Sequence, residues 1–181
     1  MKKIFSEILS LLKVLAITFL VTTLLTTFII NPVVVNGSSM MPTLQNHDVG
    51  IAYVITKKIV GLNRFATVTV YVAESDKYLV KRVIGLPGET IYAKDGVIYI
   101  NDEPIEEEYL DNYIRHEFES TYKLPFTEDF PKVRIPDDYF FLMGDNRRNS
   151  KDSRDYGPFS NDAIKTNSLF IFYPFSNFGI K

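Results

Sequence analysis

The feature that most constrains this chain is an uncharged apolar run near its start. Residues 14–30 read VLAITFLVTTLLTTFII, and the apolar character extends back through residues 8–12. At about 1.5 Å of rise per residue, a helix of about twenty residues spans roughly 30 Å, the thickness of a bilayer's hydrocarbon core. A core helix of a soluble protein is a weaker interpretation, because the run is apolar on all sides rather than along one stripe. We predict a transmembrane helix over residues 8–30, which Pro32 ends.

The charges that flank the run predict its orientation. Lys2, Lys3 and Lys13 lie at its N-terminal side, whereas residues 31–45 contain no basic residue. Basic flanks stay in the cytoplasm, so we expect a single-pass protein of the cell membrane with residues 1–7 in the cytoplasm and the remainder outside. A cleaved secretory signal begins in a similar way. The run is long for such a signal and no alanine-based small-x-small site follows it, which favours a retained anchor.

Composition excludes several classes of function. The net charge is −2, so no basic surface indicates a nucleic-acid partner. Cysteine is absent, which excludes a thiol nucleophile, a disulfide framework and a cysteine-ligated zinc site. The acidic stretch from Asp102 to Glu119 is interpreted as a solvated surface.

Short runs of β-branched and aromatic residues follow the apolar run, which is typical of strands. They occupy residues 66–73, 78–85, 90–93, 97–100, 139–144 and 169–175. Asp95-Gly96 predicts a tight hairpin, because both residues tolerate positive φ. Residues 101–138 are acidic, less periodic and interrupted by prolines. The sequence therefore predicts a mostly β protein, with an antiparallel β core over residues 31–89 and 139–181 and a smaller lobe inserted at 90–138.

The segment GSSMMPTL at residues 37–44 places Ser39 on a turn, between Gly37 and a proline. A serine held on a rigid turn can act as a nucleophile, and it can equally serve only as a turn cap. Met40 and Met41 are adaptable apolar residues that could line a substrate groove, contact lipid or pack in a core.

Lys81 is predicted to be a desolvated amine. In a strand through residues 78–85 side chains alternate, so Lys81 shares a face with Leu79 and Val83. A lysine with a pKa of about 10.4 is unprotonated only about once in 2,500 at pH 7, and burial lowers that pKa by up to several units. Desolvation would thus turn Lys81 into a general base. A snorkelling surface lysine on an edge strand is the alternative.

The segment GDNRRNSKDSRDYG at residues 144–157 is dense in side chains that form charge-assisted hydrogen bonds. Asp152 and Arg154 are spaced to interlock across a loop, and Ser150 and Ser153 are candidates for a neutral hydroxyl that orients a buried lysine. No metal site is predicted, because the aspartate spacing does not match a calcium loop and arginines repel a cation.

With these three segments in order, the sequence resembles the bacterial type I signal peptidases of the single-span kind. The shared motifs are a serine followed by Met-x-Pro-Thr, a Lys-Arg-(x)2-Gly-x-Pro-Gly run, and Gly-Asp-Asn-Arg followed by Ser-x-Asp-Ser-Arg. The resemblance implies an antiparallel β catalytic core with an inserted lobe. It implies Ser39 as nucleophile, Lys81 as general base and Ser150 as the hydroxyl that orients the lysine. The implied supporting network is Asp152, Arg154, Asp145 and Arg82.

The resemblance further implies that the chain removes N-terminal signal peptides from exported preproteins, with small side chains at the first and third positions before the cut. Its implied partners are preproteins, the nearby export translocon and membrane lipid, with no cofactor. One departure is Gly37, where some members carry a serine that helps to form the oxyanion hole. The oxyanion would then depend more on backbone amides such as that of Ser39.

Three other functions remain as alternatives. A self-cleaving Ser/Lys regulator has similar chemistry, but such proteins are soluble. A catalytically inactive anchored binding module would be preferred if Ser39 or Lys81 were replaced, and both are present. A penicillin-binding type of enzyme is suggested only by SLLK at residues 10–13, inside the predicted span.

Overall fold

A computed structural model of the chain describes residues 2–28, 30–53, 61–110 and 112–181. Its first element is helix α1, Lys2–Phe28. The stretch Ile4–Leu24 has a mean hydropathy of 2.1 and is not covered by the rest of the protein, so by length and composition it can cross a membrane. The helix starts before the predicted span, because no proline or glycine interrupts residues 2–7. It ends earlier than residue 30, because Ile30 already pairs with a strand.

The elements after α1 are mostly short strands. The strands are β1 Ile30–Val34, β2 Val49–Tyr53, β3 Thr67–Val72, β4 Lys77–Gly85, β5 Thr90–Lys94, β6 Val97–Ile100, β7 Glu103–Pro104, β8 Phe130–Arg134, β9 Tyr139–Met143, β10 Phe159–Ser160, β11 Ile164–Thr166, β12 Leu169–Tyr173 and β13 Gly179–Ile180. The other helices are α2 Asn112–Tyr122, α3 Ser153–Tyr156 and a 3₁₀ turn Phe175–Asn177. The predicted mostly β fold is confirmed.

The strands form three antiparallel sheets. Their orders are β1-β2-β12-β13, β10-β9-β4-β3-β11 and β7-β6-β5-β8. Each sheet buries one of three apolar clusters, around Ala52, Val70 and Ile98 respectively. The predicted strands in these sheets agree with the observed ones to within one or two residues at most ends, because their alternating apolar residues match the buried faces.

The third sheet is built from one continuous stretch of chain, residues 90–134. That stretch falls between β4 and β9, which pair with each other, so the third sheet is an insertion between two strands of the second. The Asp95-Gly96 turn joins β5 to β6 with positive φ at both residues, as the sequence predicts. Helix α2 was not expected from the sequence, and it fits between the breaks at Pro104 and Pro125.

Candidate active site

A serine and a lysine from distant parts of the chain meet beside the central strand of the second sheet. Ser39 lies in the turns that connect β1 to β2, and Lys81 lies in β4. The Nζ atom of Lys81 is 2.7 Å from the Oγ atom of Ser39. The chain turns here rather than forming a helix, because Gly37 adopts a φ of 99° and Pro42 has no amide hydrogen to donate. The arrangement gives a hydroxyl a direct hydrogen bond with an amine.

The amine of Lys81 is removed from water. Lys81 is 2% exposed, among the largest fully buried side chains. Burial lowers the pKa of Lys81 to about 8, with Asp152 acting to raise it and Arg154 acting to lower it. A pKa of about 8 leaves roughly one molecule in ten with a neutral amine at pH 7, so this lysine can accept a proton under mild conditions.

The carboxylate with the largest effect on the pKa of Lys81, that of Asp152, is held in place by an arginine. Arg154 donates to Asp152 through Nε and Nη2, both at 2.9 Å. Burial acts to raise the pKa of Asp152, but hydrogen bonds from Arg154 and from the backbone of Gly144 keep it below its ordinary value. Ser150 donates its hydroxyl to Asp152 at 2.7 Å. In the described part of the chain Ser150 makes this bond and none with Lys81, so its role in orienting Lys81 stays a prediction.

A second ion pair lies next to Lys81 in sequence. Arg82 donates to both carboxylate oxygens of Asp145, at 2.8 and 2.6 Å, and both residues are buried. Thr43 donates its hydroxyl to the same carboxylate at 2.6 Å. Thr43 lies in the same loop as Ser39, four residues later. The ion pair of Arg82 and Asp145 therefore ties the serine-bearing loop to β4.

The loop that begins at Gly144 touches the serine-bearing turn directly. The backbone N–H of Asn146 donates to the carbonyl of Ser39 at 3.0 Å. A Cβ atom at Gly144 would lie 2.3 Å from Oγ of Ser150 and 2.4 Å from the carbonyl oxygen of Ser39. No larger residue fits there, so this glycine permits the close approach of the two loops.

A buried arginine anchors the same loop to the one between β7 and α2. Arg147 is 1% exposed, and it binds Glu107 through Nη1 and Nη2 at 2.9 and 2.5 Å. Its Nε donates to the carbonyl of Gly144 at 3.1 Å, and its Nη2 donates to the hydroxyl of Tyr109. Tyr109 also stacks under the guanidinium of Arg82 at 4.2 Å. Charge pairing therefore connects the loop between β7 and α2 to the residues around Lys81.

A cleft of about 1080 Å³ opens beside Ser39. One wall is β1, the edge strand of the first sheet, and the other is the first half of β4, which pairs only with β3 in the described residues. Met40 lines the cleft and is 2% exposed in the core around Ala52, whereas Met41 is 37% exposed. The described residues contain no group of His, Cys, Asp and Glu that could hold a metal ion.

Comparisons with known proteins agree on one family. The signal peptidase, peptidase S26 family model matches residues 8–173. The chain belongs to this family. It is 38% identical over 172 residues to signal peptidase I of Bacillus amyloliquefaciens, covering 94% of this chain and 91% of that protein. It is 42% identical over 146 residues to signal peptidase I U of Bacillus subtilis (strain 168), covering 80% and 76% respectively. The crystal structure of a signal peptidase I from Enterococcus faecalis V583 is similar with a TM-score of 0.52 at 28% identity, covering 58% of this chain and 94% of that chain.

Membership of the peptidase S26 family confirms the resemblance found in the motifs. The SLLK tetrapeptide at residues 10–13 lies within α1, so the penicillin-binding interpretation has no support in this S26 chain. The solvated interpretation of the acidic stretch is wrong for Glu107, whose side chain is 6% exposed because it pairs with Arg147. No local pattern distinguishes Glu107 from its acidic neighbours. Thr43 and Gly144 lie within the shared motifs, so the sequence contains them. The hydrogen bond of Thr43 with Asp145 and the close approach of Gly144 to Ser150 are seen only in the folded chain.

Proposed function

We propose that this chain is a membrane-anchored serine endopeptidase that removes N-terminal signal peptides from exported preproteins. Ser39 is its nucleophile and Lys81 its general base. The observation that carries this proposal is the 2.7 Å hydrogen bond between Oγ of Ser39 and Nζ of a lysine that is 2% exposed. A serine hydroxyl is a weak nucleophile until an adjacent base removes its proton, and a neutral buried lysine is such a base.

The reaction follows from that contact. Neutral Lys81 takes the hydroxyl proton as Oγ of Ser39 attacks the carbonyl carbon of the scissile peptide bond. When the C–N bond breaks, the new amino terminus takes this proton from Lys81 and the signal peptide remains as an ester on Ser39. Lys81, neutral again, then deprotonates a water molecule that attacks the ester carbonyl. The bond between that carbonyl carbon and Oγ breaks, Oγ of Ser39 takes the proton back from Lys81, and the signal peptide leaves with a new carboxyl group.

The substrate would lie extended in the cleft. β1 and the first half of β4 each present an edge that is unpaired in the described residues, and an added strand can bind such edges through its backbone. The oxyanion that forms on the scissile carbonyl would be bound by the backbone N–H of Ser39, because Gly37 offers no hydroxyl at the position where some relatives carry one.

The remaining predicted residues have supporting roles in this proposal. Arg154 and Ser150 fix the position of Asp152, whose charge acts on the pKa of Lys81. Arg82 and Asp145 hold the loop that carries Ser39 through Thr43. Their removal should reduce activity by disturbing the distance between Oγ and Nζ, since misplacement by about 1 Å can cost about a hundredfold in rate. Met40 would line the substrate groove, and Met41 would contact substrate or lipid beside it.

We further propose that α1 is a retained anchor in the cell membrane, with the N-terminus in the cytoplasm and the β core outside. In this arrangement residues 31–89 and 139–181 form the catalytic core, and residues 90–138 form the inserted lobe. The Ser39 loop begins a few residues after the anchor, so the site would lie near membrane lipid and near the translocon from which preproteins emerge.

The test uses full-length, detergent-solubilised protein incubated with a purified preprotein, and mass analysis of the new N-terminus. The wild type should cut after the signal peptide, whereas Ser39→Ala and Lys81→Met should not cut above background. Ser75→Ala, an exposed serine in the turn between β3 and β4, is the matched control and should cut at the wild-type rate. Cleavage by Lys81→Met at a wild-type rate would reject the assigned base.

A further inference from the structure

The cleft beside Ser39 has a polar feature that the catalytic mechanism does not use. Thr69 in β3 and Thr166 in β11 line the cleft among apolar residues such as Ala52 and Val80. The two threonines are linked, because the backbone N–H of Thr69 donates to Oγ1 of Thr166 at 3.3 Å. The hydroxyl of Thr69 is different. It is buried and has no hydrogen-bond partner in the described residues, although Thr69 as a whole is 7% exposed.

An unpartnered buried hydroxyl is unfavourable, because the group has lost its hydrogen bonds to water without gaining others. Valine has the same shape as threonine, favours strands and avoids this penalty. Val80, the direct partner of Thr69 in β4, shows that valine packs well on this face of the sheet. The hydroxyl oxygen is covered, so a rotation about χ1 that exchanges it with its own methyl group would turn it toward the cleft and a bound molecule.

We infer that Thr69 is a specificity-determining residue that hydrogen-bonds a hydroxyl-bearing side chain, serine or threonine, of the bound signal peptide. This inference rests on the proposed function, which places the peptide in the cleft as an added strand. In a strand the backbone groups point sideways to the edges of β1 and β4, whereas the side chains point out of the plane. The group that approaches Thr69 is therefore a side chain of the peptide rather than its backbone.

The register of β3 against β4 limits where that side chain stands in the substrate. Thr69 is the direct partner of Val80, and Val80 precedes Lys81 in β4. A strand advances about 3.3 Å per residue, so Thr69 lies within about three substrate residues of the bond that Ser39 attacks. The preference should appear at one position on the signal-peptide side of that bond, and not at the positions directly before and after it, whose side chains point the other way.

The experiment is a double-mutant cycle with full-length enzyme in detergent. A reference peptide with an established cut is compared with versions that carry serine in place of alanine at each of the four positions before the bond. For each pair the ratio of kcat/KM for serine over alanine is measured. The wild type should give a ratio of about 5 to 10 at one position, as expected for one neutral hydrogen bond, and the Thr69→Val variant should give a ratio near 1 there.

Thr67 supplies a matched control. It lies two residues earlier in β3, is 2% exposed and also carries a buried hydroxyl without a partner, but it does not line the cleft. Thr67→Val should therefore keep the serine-to-alanine ratio of the wild type. Both variants should unfold at a temperature no lower than the wild type, because each replaces an unsatisfied buried hydroxyl by a methyl group.

Each outcome is decisive. A serine preference that disappears in Thr69→Val and persists in Thr67→Val supports the inference. Three results overturn it: the wild type shows no preference at any position, the preference survives in Thr69→Val, or both variants lose it equally. In each case cleavage of the reference peptide leaves the proposed function intact. If the wild type cuts none of the peptides or preproteins, the proposed function fails and this inference fails with it.

Discussion

The strongest prediction concerns the pH dependence of cleavage, because it depends on the environment of a single amine. In the proposed mechanism only the neutral form of Lys81 takes the proton of Ser39, so kcat/KM should follow the neutral fraction of that amine. Burial lowers the pKa of Lys81 to about 8 from an ordinary value of 10.5. Activity should therefore fall as pH decreases below about 8 and level off above it.

The magnitude follows from the same pKa. With a pKa of about 8 the neutral fraction is about 1% at pH 6, about 9% at pH 7 and about 90% at pH 9. The expected rise in kcat/KM is thus about fiftyfold from pH 6 to pH 8 and less than about twofold from pH 8 to pH 9. A solvated lysine with an ordinary pKa would be neutral only about once in 3,000 at pH 7, a handicap larger by about 3 kcal/mol.

The assay is kcat/KM for a peptide substrate without groups that titrate between about pH 6 and about pH 10, with full-length enzyme in a neutral detergent. Circular dichroism at each pH checks that the protein stays folded. Asp152, Arg154, Asp145 and Asp155 are the charges that influence the amine, and Arg154 acts to lower the pKa of Lys81. Arg154→Met should consequently move the whole profile to higher pH, an effect that loss of stability alone does not produce.

Two results would refute this reasoning. One is a rate that keeps rising about tenfold per pH unit up to about pH 10, which would mean that Lys81 is solvated in the working enzyme. The other is a rate that is flat from about pH 6 to about pH 8, which would mean that Lys81 is not the base.

Three further predictions concern single residues. Lys81→Met should raise the stability at pH 7 by about 1 to 3 kcal/mol in thermal unfolding, because it removes a desolvated charge. This gain should shrink as pH rises from about 8 to about 10.5, where the folded and unfolded states bind the proton equally little, and a constant gain would contradict it. Gly144→Ala should reduce kcat about a hundredfold with a smaller effect on KM, since its Cβ would lie 2.4 Å from the carbonyl oxygen of Ser39, and wild-type kcat would contradict it. Glu107→Ala should cost about 3 to 5 kcal/mol in denaturant unfolding, because it leaves a buried arginine unpaired, whereas Glu128→Ala, which removes an exposed partner of Arg148, should cost less than about 1 kcal/mol. Equal losses for both glutamates would show that burial does not set the cost.

Local patterns were sufficient for six strands, β3, β4, β5, β6, β9 and β12, but not for β1, β2, β8 or the shorter strands. Alternation in YLVKRVIG predicted that Lys81 would share an apolar face, and the structure buries it to 2% exposure. The Asp95-Gly96 turn needs only the φ preferences of two residues. Helix α2 escaped prediction because its polar, acidic residues resemble those of a surface loop, and 11 residues give a short periodic signal.

The sequence by itself determined the apolar helix, the β pattern and the three motifs that identify the family. Each of these depends on the residue types at neighbouring positions, which can be read from the sequence without knowing which segments pack together. Only the tertiary structure decided that Thr43 bonds to Asp145, that Glu107 is buried against Arg147, and that Thr69 keeps a hydroxyl without a partner in the described residues. Burial and hydrogen-bond partners depend on which distant segments pack together, because desolvation and pairing act through space rather than along the chain.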